Sequence, residues 1–494
     1  MSKKNMKVFL SVLLLMFFST SLLATCFIFS SCTPKDSTPN PDFVIAEEEA
    51  RRSFNGLMAC ANKDPDSPGF GLVSDQYPAP GSTSNRASIQ STAYLLGAMP
   101  GAIKSGWITK ADAQKWVLGT IKTLRNTESF RGFYYHYLDI NTAQRYLSGD
   151  DDGSEVSTSD TTFMMSNLIV CGQYFGGEIK LIVDEMYYEL DYTFLVFNDG
   201  NRDLLRMAFH PEYSFDPVTR EYNYTFYSKS RQRTINAGEK APAGVSNKRE
   251  FTNAWDTYAQ QLIFYILGAG HPDPLKRLDK SLFYSFDRPK GNYGDGEEII
   301  YATNGAAWKY QFSHQFVDFR NTVDEEGVNW FENSRRATIA ARQFAIDQSV
   351  NYKTFNENSW GFSAGTSSSS GYGSFYGSPP VKSTNLDKIC DGTVMPYGAI
   401  SSIVFTHELS IAALKYFYTI PELQVGEYGL CDSFNYWEIG SDRKPFYSNN
   451  FHTINKGMQT IMLQNYYQDG LVWNLFNSYE PVKDGKAAIG LRKI

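Results

Sequence analysis

The sequence lacks the short motifs that mark the commonest catalytic and cofactor sites. It contains no Gly-x-Ser-x-Gly nucleophile motif, no phosphate-binding Walker loop and no His-Glu-x-x-His zinc motif. Gly371-Tyr372-Gly373 has no predicted strand before it, so it is not a dinucleotide-binding fingerprint. These absences exclude a serine hydrolase of the nucleophile-elbow type, a P-loop enzyme, a zinc protease of this motif and a dinucleotide-dependent enzyme.

Cysteine, histidine and clustered positive charge are also scarce. The chain has a formal net charge of -7 and no stripe rich in Lys or Arg, which excludes a nucleic-acid partner because phosphates require concentrated positive charge. The six histidines are scattered, and Cys60, Cys171, Cys390 and Cys431 lie far apart without a Cys-x-x-Cys pair. We therefore expect no metal site and no cofactor. Disulfides among the four cysteines and four buried free thiols both remain open.

The N-terminus has the pattern of an export signal. Three lysines precede the apolar run 8–29, and Phe29-Ser30-Ser31-Cys32 resembles a relaxed bacterial lipobox. We predict a signal peptide over residues 1–31, lipidation of Cys32 and a polar tether over residues 32–42. A single domain over residues 43–494 follows. The protein is expected to be a membrane-anchored lipoprotein, periplasmic or on the outer-membrane surface, and a monomer.

Helical periodicity dominates the remaining sequence. Segments that are apolar on most sides, such as 87–103 and 161–175, alternate with amphipathic segments, such as the helix that Thr109 opens and the segment 179–192. About twelve such segments are joined by long loops, and the polar insert 198–248 has an alternating pattern that suits a short β-hairpin. The pattern predicts an all-α fold, an (α/α)6 barrel of six helical hairpins.

Carboxylates and aromatic rings remain as the candidate chemical groups. Aromatic residues make up 15% of the chain, and an aromatic run ending at Tyr137 precedes the acidic stretch from Asp152 to Asp160. Sugar hydrolysis uses paired carboxyl groups, and flat rings suit sugar faces. Glu155 is our principal acid/base candidate, with Asp152, Asp160 or Asp391 as a second carboxyl. Asp160 also suits a helix cap.

At these residues the chain resembles the bacterial glycoamylase-like family, which includes endo-β-1,2-glucanases and the glycoamylase-like domain of cyclic β-1,2-glucan synthases. The similarity extends from about residue 132 to residue 473. It rests on Gly-Phe-Tyr-Tyr-His-Tyr at 132–137, Glu-Val-Ser-Thr-Ser-Asp at 155–160, Trp-Asp-Thr-Tyr at 255–258, Gln-Phe-Ser-His at 311–314 with Val-Asp-Phe-Arg at 317–320, Trp-Gly at 360–361, Asp-Gly-Thr at 391–393, Tyr-Gly-Leu-Cys-Asp-Ser-Phe-Asn at 428–435 and Gly-Leu-Val-Trp at 470–473.

The resemblance implies a barrel whose cleft binds a glucan and whose acidic residues cleave it. The sequence departs from the family pattern at several positions: Gln260 or Gln261 stands near an expected catalytic Glu, Tyr310 replaces a His, Asn455 replaces an Asp, and His407 replaces a Pro. Because an amide cannot exchange the catalytic proton, the chemistry is altered or lost if Gln260 occupies the Glu position. The predicted substrate-binding residues are Tyr134, Tyr135, His136, Trp255, Asp256, Gln260, His314, Asp318, Arg320, Trp360, Asn435 and Trp437.

Three functions follow as hypotheses. The first is an exported glycoside hydrolase acting on a β-glucan, for which the resemblance suggests β-1,2 linkages. The second is a catalytically silent glycan-binding lipoprotein on the same barrel, which Gln260 favours. The third is a polysaccharide lyase, for which His136, Tyr137 and Arg145 would supply a base and a neutralising cation.

Overall fold

The computed structural model describes residues 40–78, 85–147, 153–246, 250–369, 371–382, 385 and 388–494. The predicted signal peptide, Cys32 and Asp152 lie outside these residues. Helices dominate the described part of the chain. They are α1 (Pro41–Ala59), α2 (Ile89–Gly97), α3 (Met99–Lys104), α4 (Lys110–Arg125), α5 (Thr158–Phe175), α6 (Gly177–Glu189), α7 (Leu262–Ala269), α8 (Ser281–Ser285), α9 (Ala307–Gln311), α10 (Trp330–Gln348), α11 (Pro396–Ile400), α12 (His407–Tyr418), α13 (Thr453–Tyr467), α14 (Leu471–Ser478) and α15 (Glu480–Ala488).

Burial separates the helices into two kinds, as the sequence predicts. Every residue of α2, α7 and α11 is buried, and α5 is buried from Thr158 to Gly172. By contrast, α4 buries only one stripe, in which Ala113, Val117 and Leu124 recur at helical spacing. The predicted cap is confirmed, because the Thr109 hydroxyl accepts a hydrogen bond from the Asp112 amide at 3.1 Å.

The buried helices form a nearly continuous series of contacts. Helix α2 packs against α5 and α13, α5 packs against α7, and α11 packs against α9 and α13. Hydrogen bonds link the region of α7 to the turn after α9, because the Ser313 hydroxyl donates to the Gln260 carbonyl at 2.6 Å and accepts from the Ile263 amide at 3.2 Å. The more exposed helices pack outside this series, with α6 on α5, α10 on α9, α12 on α11 and α15 on α7.

Short antiparallel strands decorate the helical core. They are β1 (Val73–Ser74), β2 (Gln76–Tyr77), β3 (Arg86–Ser88), β4 (Ser129–Phe130), β5 (Phe133–Tyr134), β6 (Tyr137–Asp139), β7 (Val156–Ser157), β8 (Val196–Asn198), β9 (Asp203–Leu205), β10 (Ala208–Phe209), β11 (Phe226–Ser228), β12 (Arg233–Ile235), β13 (Lys290–Gly291), β14 (Ile299–Ile300), β15 (Thr322–Val323), β16 (Gly365–Thr366), β17 (Tyr372–Gly373), β18 (Phe434–Asn435), β19 (Phe446–Tyr447), β20 (Phe451–His452) and β21 (Arg492–Lys493). Strands β11 and β12 form the hairpin predicted in the insert, above a small separate core that includes Phe215 and Tyr222.

Several sequence-based predictions need correction. The sequence suggests that Trp255 and Asp256 open a helix, but they lie before α7, which begins at Leu262. The four-residue spacing of His314 and Asp318 predicts a shared helix face, but the 3-10 turn that contains His314 ends at Gln315. The C-terminal helix α15 was missed. Cys60, Cys171, Cys390 and Cys431 are all free and buried, which decides between the two alternatives left open. Within the described ranges, no helix is both long and apolar enough to cross a membrane.

Candidate active site

His136 lies between two carboxylates. Its Nδ1 atom is 2.8 Å from Glu155 Oε1, and its Nε2 atom is 3.3 Å from Asp160 Oδ1. The ring also stacks on Tyr137, with the ring centres 3.7 Å apart. The two acids that the sequence singled out are therefore connected through a histidine that it had assigned to substrate binding.

Local hydrogen bonds fix these three residues. The His136 amide donates to the Glu155 carbonyl at 2.9 Å, which holds the turn between β5 and β6 against the segment that enters β7. At the start of α5 the Ser157 hydroxyl accepts from the Asp160 amide at 3.1 Å and donates to Asp160 Oδ2 at 2.6 Å. Ser157 is thus the helix cap, whereas the sequence had offered Asp160 for that role. The other carboxylate oxygen of Asp160 faces His136.

The charges of the three groups depend on one another. Burial lowers the pKa of His136, but the charge of Asp160 and the hydrogen bond and charge of Glu155 outweigh burial and raise the pKa to about 9. Burial opposes ionisation of Glu155, yet the hydrogen bond from His136 and its charge hold the Glu155 pKa below the ordinary value. Burial raises the pKa of Asp160 despite the opposing charge of His136. At neutral pH a cationic imidazole therefore sits beside an ionised Glu155 and a carboxyl that retains its proton more readily than usual.

A cavity of about 490 Å³ opens in front of His136 and Asp160. Its wall also contains Gln260 and Asn455, two of the positions that depart from the family pattern. Sequence reasoning did not assign the other cavity residues to the site, among them Asp75, Arg86, Trp308, Phe312, Tyr372 and His452. The combination of a few charged groups with several rings is typical of a small-molecule site.

Asp75 supplies the second carboxyl that lines the cavity. It follows β1 and forms an ion pair of 2.6 Å with Arg86, which lies on β3. No motif points to Asp75, because it belongs to a stretch rich in Pro, Gly and Ser that predicts a loop. Only the packing of that loop against the β5 to β7 region brings Asp75 near His136, whose pKa Asp75 helps to raise.

Gln260 occupies the cavity wall beside Asp160. Its Nε2 atom donates a hydrogen bond to the Ser159 hydroxyl. Its Oε1 atom is buried without a hydrogen-bond partner among the described residues. Because an amide holds no transferable proton, this side chain can orient a ligand or its neighbour Ser159 but cannot act as the acid.

Four predicted ring contacts are absent from the cavity. Tyr134, Tyr135, Trp255 and Trp360 are all buried in the main hydrophobic core. Each ring occupies core volume where its apolar area stabilises the fold. We therefore assign these rings to packing and the cavity contacts to Tyr137, Trp308, Phe312, Tyr372 and Tyr397.

The polar residues predicted from the later segments also lie outside the cavity wall. His314 is buried, its Nε2 atom is 3.0 Å from the Ser334 hydroxyl, and burial lowers its pKa to about 3. Asp318 and Arg320 form an ion pair of 2.9 Å, the structural alternative that the sequence allowed. Tyr310 is buried, and its hydroxyl accepts a hydrogen bond from the Ala302 amide.

The remaining predicted residues fasten loops. Asp391 accepts hydrogen bonds from the Tyr376 hydroxyl at 3.0 Å and the Thr393 amide at 3.0 Å, and its carbonyl accepts from Asn435. Trp437 donates its indole N–H to the Lys444 carbonyl at 2.7 Å. Asp256 is exposed, and its carbonyl accepts the Asp287 amide.

The part of the chain that the structure describes contains no candidate set of metal ligands. No group of three or more His, Cys, Asp or Glu side chains there is arranged to hold an ion.

Fold and site together define a helix-rich protein with a carboxylate–histidine cavity lined by rings. Residues 252–480 match the family described as "Glycoamylase: Putative glucoamylase". The resemblance to the glycoamylase-like family that the sequence indicated is thereby confirmed.

Individual relatives agree with this family. The chain is 21% identical over 430 residues to an exo β-1,2-glucooligosaccharide sophorohydrolase (non-reducing end) from Parabacteroides distasonis, a match that covers 85% of this chain and 54% of the relative. The chain thus spans about half the length of that curated relative.

Two solved structures share the fold. A β-1,2-glucanase from Parabacteroides distasonis aligns with a TM-score of 0.70 at 20% identity, covering 92% of this chain and 60% of the other. The endo-β-1,2-glucanase of Chitinophaga pinensis, in complex with sophorotriose and glucose, aligns with a TM-score of 0.71 at 18% identity. That alignment covers 92% of this chain and 99% of the other.

Proposed function

We propose that this protein is a glycoside hydrolase that cleaves a β-glucan in the cavity in front of His136. The observation that carries the proposal is the placement of Asp160, a carboxyl of raised pKa that lines the cavity and contacts a histidine. A general acid needs a pKa above that of an ordinary carboxyl, and burial shifts the pKa of Asp160 in that direction.

The other groups receive roles from the same geometry. Asp160 protonates the departing sugar oxygen, and His136 orients the carboxyl of Asp160 through its Nε2 atom. Glu155 is ionised and keeps His136 cationic, so it acts through the histidine and not on the sugar. Asp75 is the second carboxyl of the cavity. We assign it one of two roles: the base that activates a water molecule in an inverting enzyme, or the nucleophile in a retaining enzyme. This assignment moves the proton donor from Glu155, the principal candidate of the sequence analysis, to Asp160.

The β-1,2 linkage is the specific substrate that we propose. Its support is the naming of the curated relative and of the two structural neighbours as enzymes of β-1,2-glucans or their oligosaccharides. The half-length match to the curated relative leaves exo or endo action to experiment.

Purified protein incubated with a panel of linear glucans tests the proposal. Release of reducing ends from β-1,2-glucan, and its loss in Asp160→Asn, is the expected result. Binding without product formation on every glucan would overturn the hydrolase proposal. Product with ultraviolet absorbance would indicate a lyase, although Arg145 does not line the cavity where that reaction would need its charge.

A catalytically silent glycan-binding protein is the second candidate, and Gln260 is the observation that favours it. Gln260 lines the cavity, and it is one of the two glutamines, with Gln261, that the resemblance suggests in place of a catalytic Glu. Calorimetry with β-1,2-glucan oligosaccharides separates the two candidates. A silent binder binds these oligosaccharides but releases no reducing ends. If the wild type behaves in this way, Gln260→Glu should introduce a carboxyl into the cavity and thereby produce hydrolysis.

We also propose that the buried helices close into the (α/α)6 barrel. The contacts among α2, α5, α7, α9, α11 and α13 support this closure, together with the hydrogen bonds of Ser313 between α7 and α9. An experimental structure with a gap in that ring would refute closure.

Export as a lipoprotein completes the proposal and rests on the N-terminal sequence alone. Radiolabelled palmitate should be incorporated into the wild type but not into Cys32→Ser. The molecular mass of the domain over residues 43–494, measured by analytical ultracentrifugation, should be that of a monomer.

A further inference from the structure

Arg145 is the most deeply buried cation near the candidate active site, although it has no place in the proposed reaction. The residue is 2% exposed and forms an ion pair of 2.8 Å with Glu212, which is also buried. Its guanidinium lies over the Tyr135 ring, 4.1 Å from the ring centre. Burying a charge at such depth is costly unless the surroundings use it.

The guanidinium is directed at the backbone that carries Glu155. Arg145 Nε donates to the Ser154 carbonyl at 2.7 Å, and Nη2 lies 3.4 Å from the Gly153 carbonyl. One planar group thus holds two consecutive carbonyls while its Nη2 also reaches Glu212.

The same segment is tied to the strand on its other side. The Ser154 hydroxyl accepts from the Tyr137 amide at 3.1 Å and donates to the Tyr137 carbonyl at 2.9 Å. The Glu155 carbonyl accepts from the His136 amide. Gly153 fits only as glycine, because its φ is +131° and an added Cβ would lie 2.4 Å from the Tyr146 carbonyl oxygen. Arg145 therefore completes a rigid support for one residue, Glu155.

We propose that Arg145 is a positioning residue that fixes the Glu155 carboxylate on His136, and through it the orientation and charge of the histidine that faces Asp160. The inference rests on the proposed function, because it explains how that site is assembled. Arg145 does not line the cavity but borders a separate groove of about 600 Å³. It contacts the site through the backbone at Gly153 and Ser154. Its ion-pair partner Glu212 also lies 3.3 Å from Nδ1 of His210, whose charge acts on Glu155.

All charged groups around the two residues enter the test. Glu155, Asp160 and Asp75 act on His136, and His210 acts on Glu155. Glu212, Glu128 and the Tyr135 hydroxyl act on Arg145. If the Glu155 carboxylate leaves Nδ1, the pKa of His136 falls from about 9 toward the ordinary value of 6.5, because a hydrogen bond and a nearby anion are lost together.

Arg145→Lys is the informative variant, since lysine retains the charge but not the planar fork that holds two carbonyls. The matched control is Arg288→Lys, because the Arg288 side chain is only 9% exposed, is paired with Asp324 at 2.9 Å and lies 5.1 Å from the centre of the Trp330 ring. Among the residues that the structure describes, Arg288 forms no hydrogen bond or ion pair with His136, Glu155 or Asp160. The control therefore reports the general cost of losing a buried guanidinium.

Histidine-selective NMR titration gives the decisive measurement, with the His136 signal assigned by its absence from His136→Gln. In Arg145→Lys the His136 pKa should fall by at least one pH unit, and kcat should fall roughly tenfold to hundredfold with KM within about twofold. In Arg288→Lys both should match the wild type.

An unchanged His136 pKa in folded Arg145→Lys would overturn the inference, as would equal changes in the two lysine variants. If Arg145→Lys does not fold, Ser154→Ala tests the same support from its other side and should shift the His136 pKa in the same direction. The titration does not require turnover. A protein without hydrolase activity would refute the proposed function, but the His136 titration would still test the role of Arg145.

Discussion

His136 Nδ1 lies 2.8 Å from Glu155 Oε1 while its Nε2 lies 3.3 Å from Asp160 Oδ1, so one imidazole connects an ionised carboxylate to a carboxyl that faces the cavity. A ring placed in this way can keep one proton on each nitrogen at neutral pH. Both acids contact the same ring, but the pKa of Glu155 is lowered and that of Asp160 is raised. Such a difference in pKa lets one carboxyl serve as the acid and the other as the anion in a hydrolytic site.

Replacement of Asp160 by asparagine should remove the proton donor. Loss of a general acid typically costs 10²–10⁴-fold in rate, and we expect a fall of at least about 100-fold in kcat on β-1,2-glucan. The asparagine oxygen can still accept the Ser157 hydroxyl, but asparagine removes the negative charge beside His136. The melting temperature should therefore fall, and activity is compared at a temperature where both proteins are folded. Asp318→Asn, in the exposed ion pair with Arg320, is the control and should retain full activity. Comparable activity of Asp160→Asn and wild type would remove Asp160 from the mechanism.

Replacement of Glu155 by glutamine should lower the pKa of His136. The present value of about 9 depends partly on the hydrogen bond and the charge of Glu155, and glutamine removes that charge. NMR titration should show a lower pKa, still supported by Asp160. A value that stays near 9 would mean that Asp160 alone sets the charge of the ring.

Stability should depend on pH through His136. Its pKa is raised in the folded state, so its contribution is complete below about 6.5 and is lost as the pH rises through about 9. The melting temperature of the wild type minus that of His136→Gln should therefore decrease over this range. Lys309 acts in the opposite direction, because burial lowers its pKa to about 8, and subtracting the variant removes that contribution. A difference that stays constant between pH 6 and 10 would contradict the raised pKa.

Tyr372 should bind substrate without supporting the fold. Its ring is 54% exposed, lines the cavity and meets His452 edge-on at 4.8 Å between ring centres. An aromatic ring of this exposure at a cavity is typical of a binding surface. Tyr372→Ala should raise KM by about tenfold, a loss of ~1.4 kcal/mol, with little change in melting temperature. Tyr188→Ala is the matched control, since Tyr188 is 51% exposed and lies away from the cavity. An unaltered KM in Tyr372→Ala would exclude this contact.

The buried ion pair of Lys456 and Glu49 should stabilise the packing of α13 against α1. Lys456 Nζ lies 3.2 Å from Glu49 Oε1, and both side chains are almost fully buried. Lys456→Met should destabilise the protein by about 3 kcal/mol, because it leaves a buried carboxylate without its cation. Adding Glu49→Gln should recover most of that loss in urea unfolding. A double variant no more stable than the single variant would show that packing, and not the unpaired charge, sets the cost.

The elements predicted correctly are those whose cause lies within a few residues. The Thr109 cap, the buried character of α2 and α5 and the hairpin of β11 and β12 all follow from local periodicity and hydrogen-bonding capacity. The family resemblance succeeded for the same reason, because it rests on short contiguous segments. The resemblance did not indicate that Tyr134, Tyr135, Trp255 and Trp360 are buried in the core, because their burial depends on packing partners that the segments do not contain.

The sequence by itself determined that this protein is rich in helices and that it resembles the glycoamylase-like family, and it predicted a site of carboxylates and rings. Only the tertiary structure decided which groups meet. It placed His136 in contact with both Glu155 and Asp160. It brought Asp75 and Tyr372, which no motif indicates, to the cavity wall, and it placed Arg145 against the backbone next to Glu155. The physical reason is that side-chain direction and pKa are set by neighbours distant along the chain, and local sequence patterns carry no record of those neighbours.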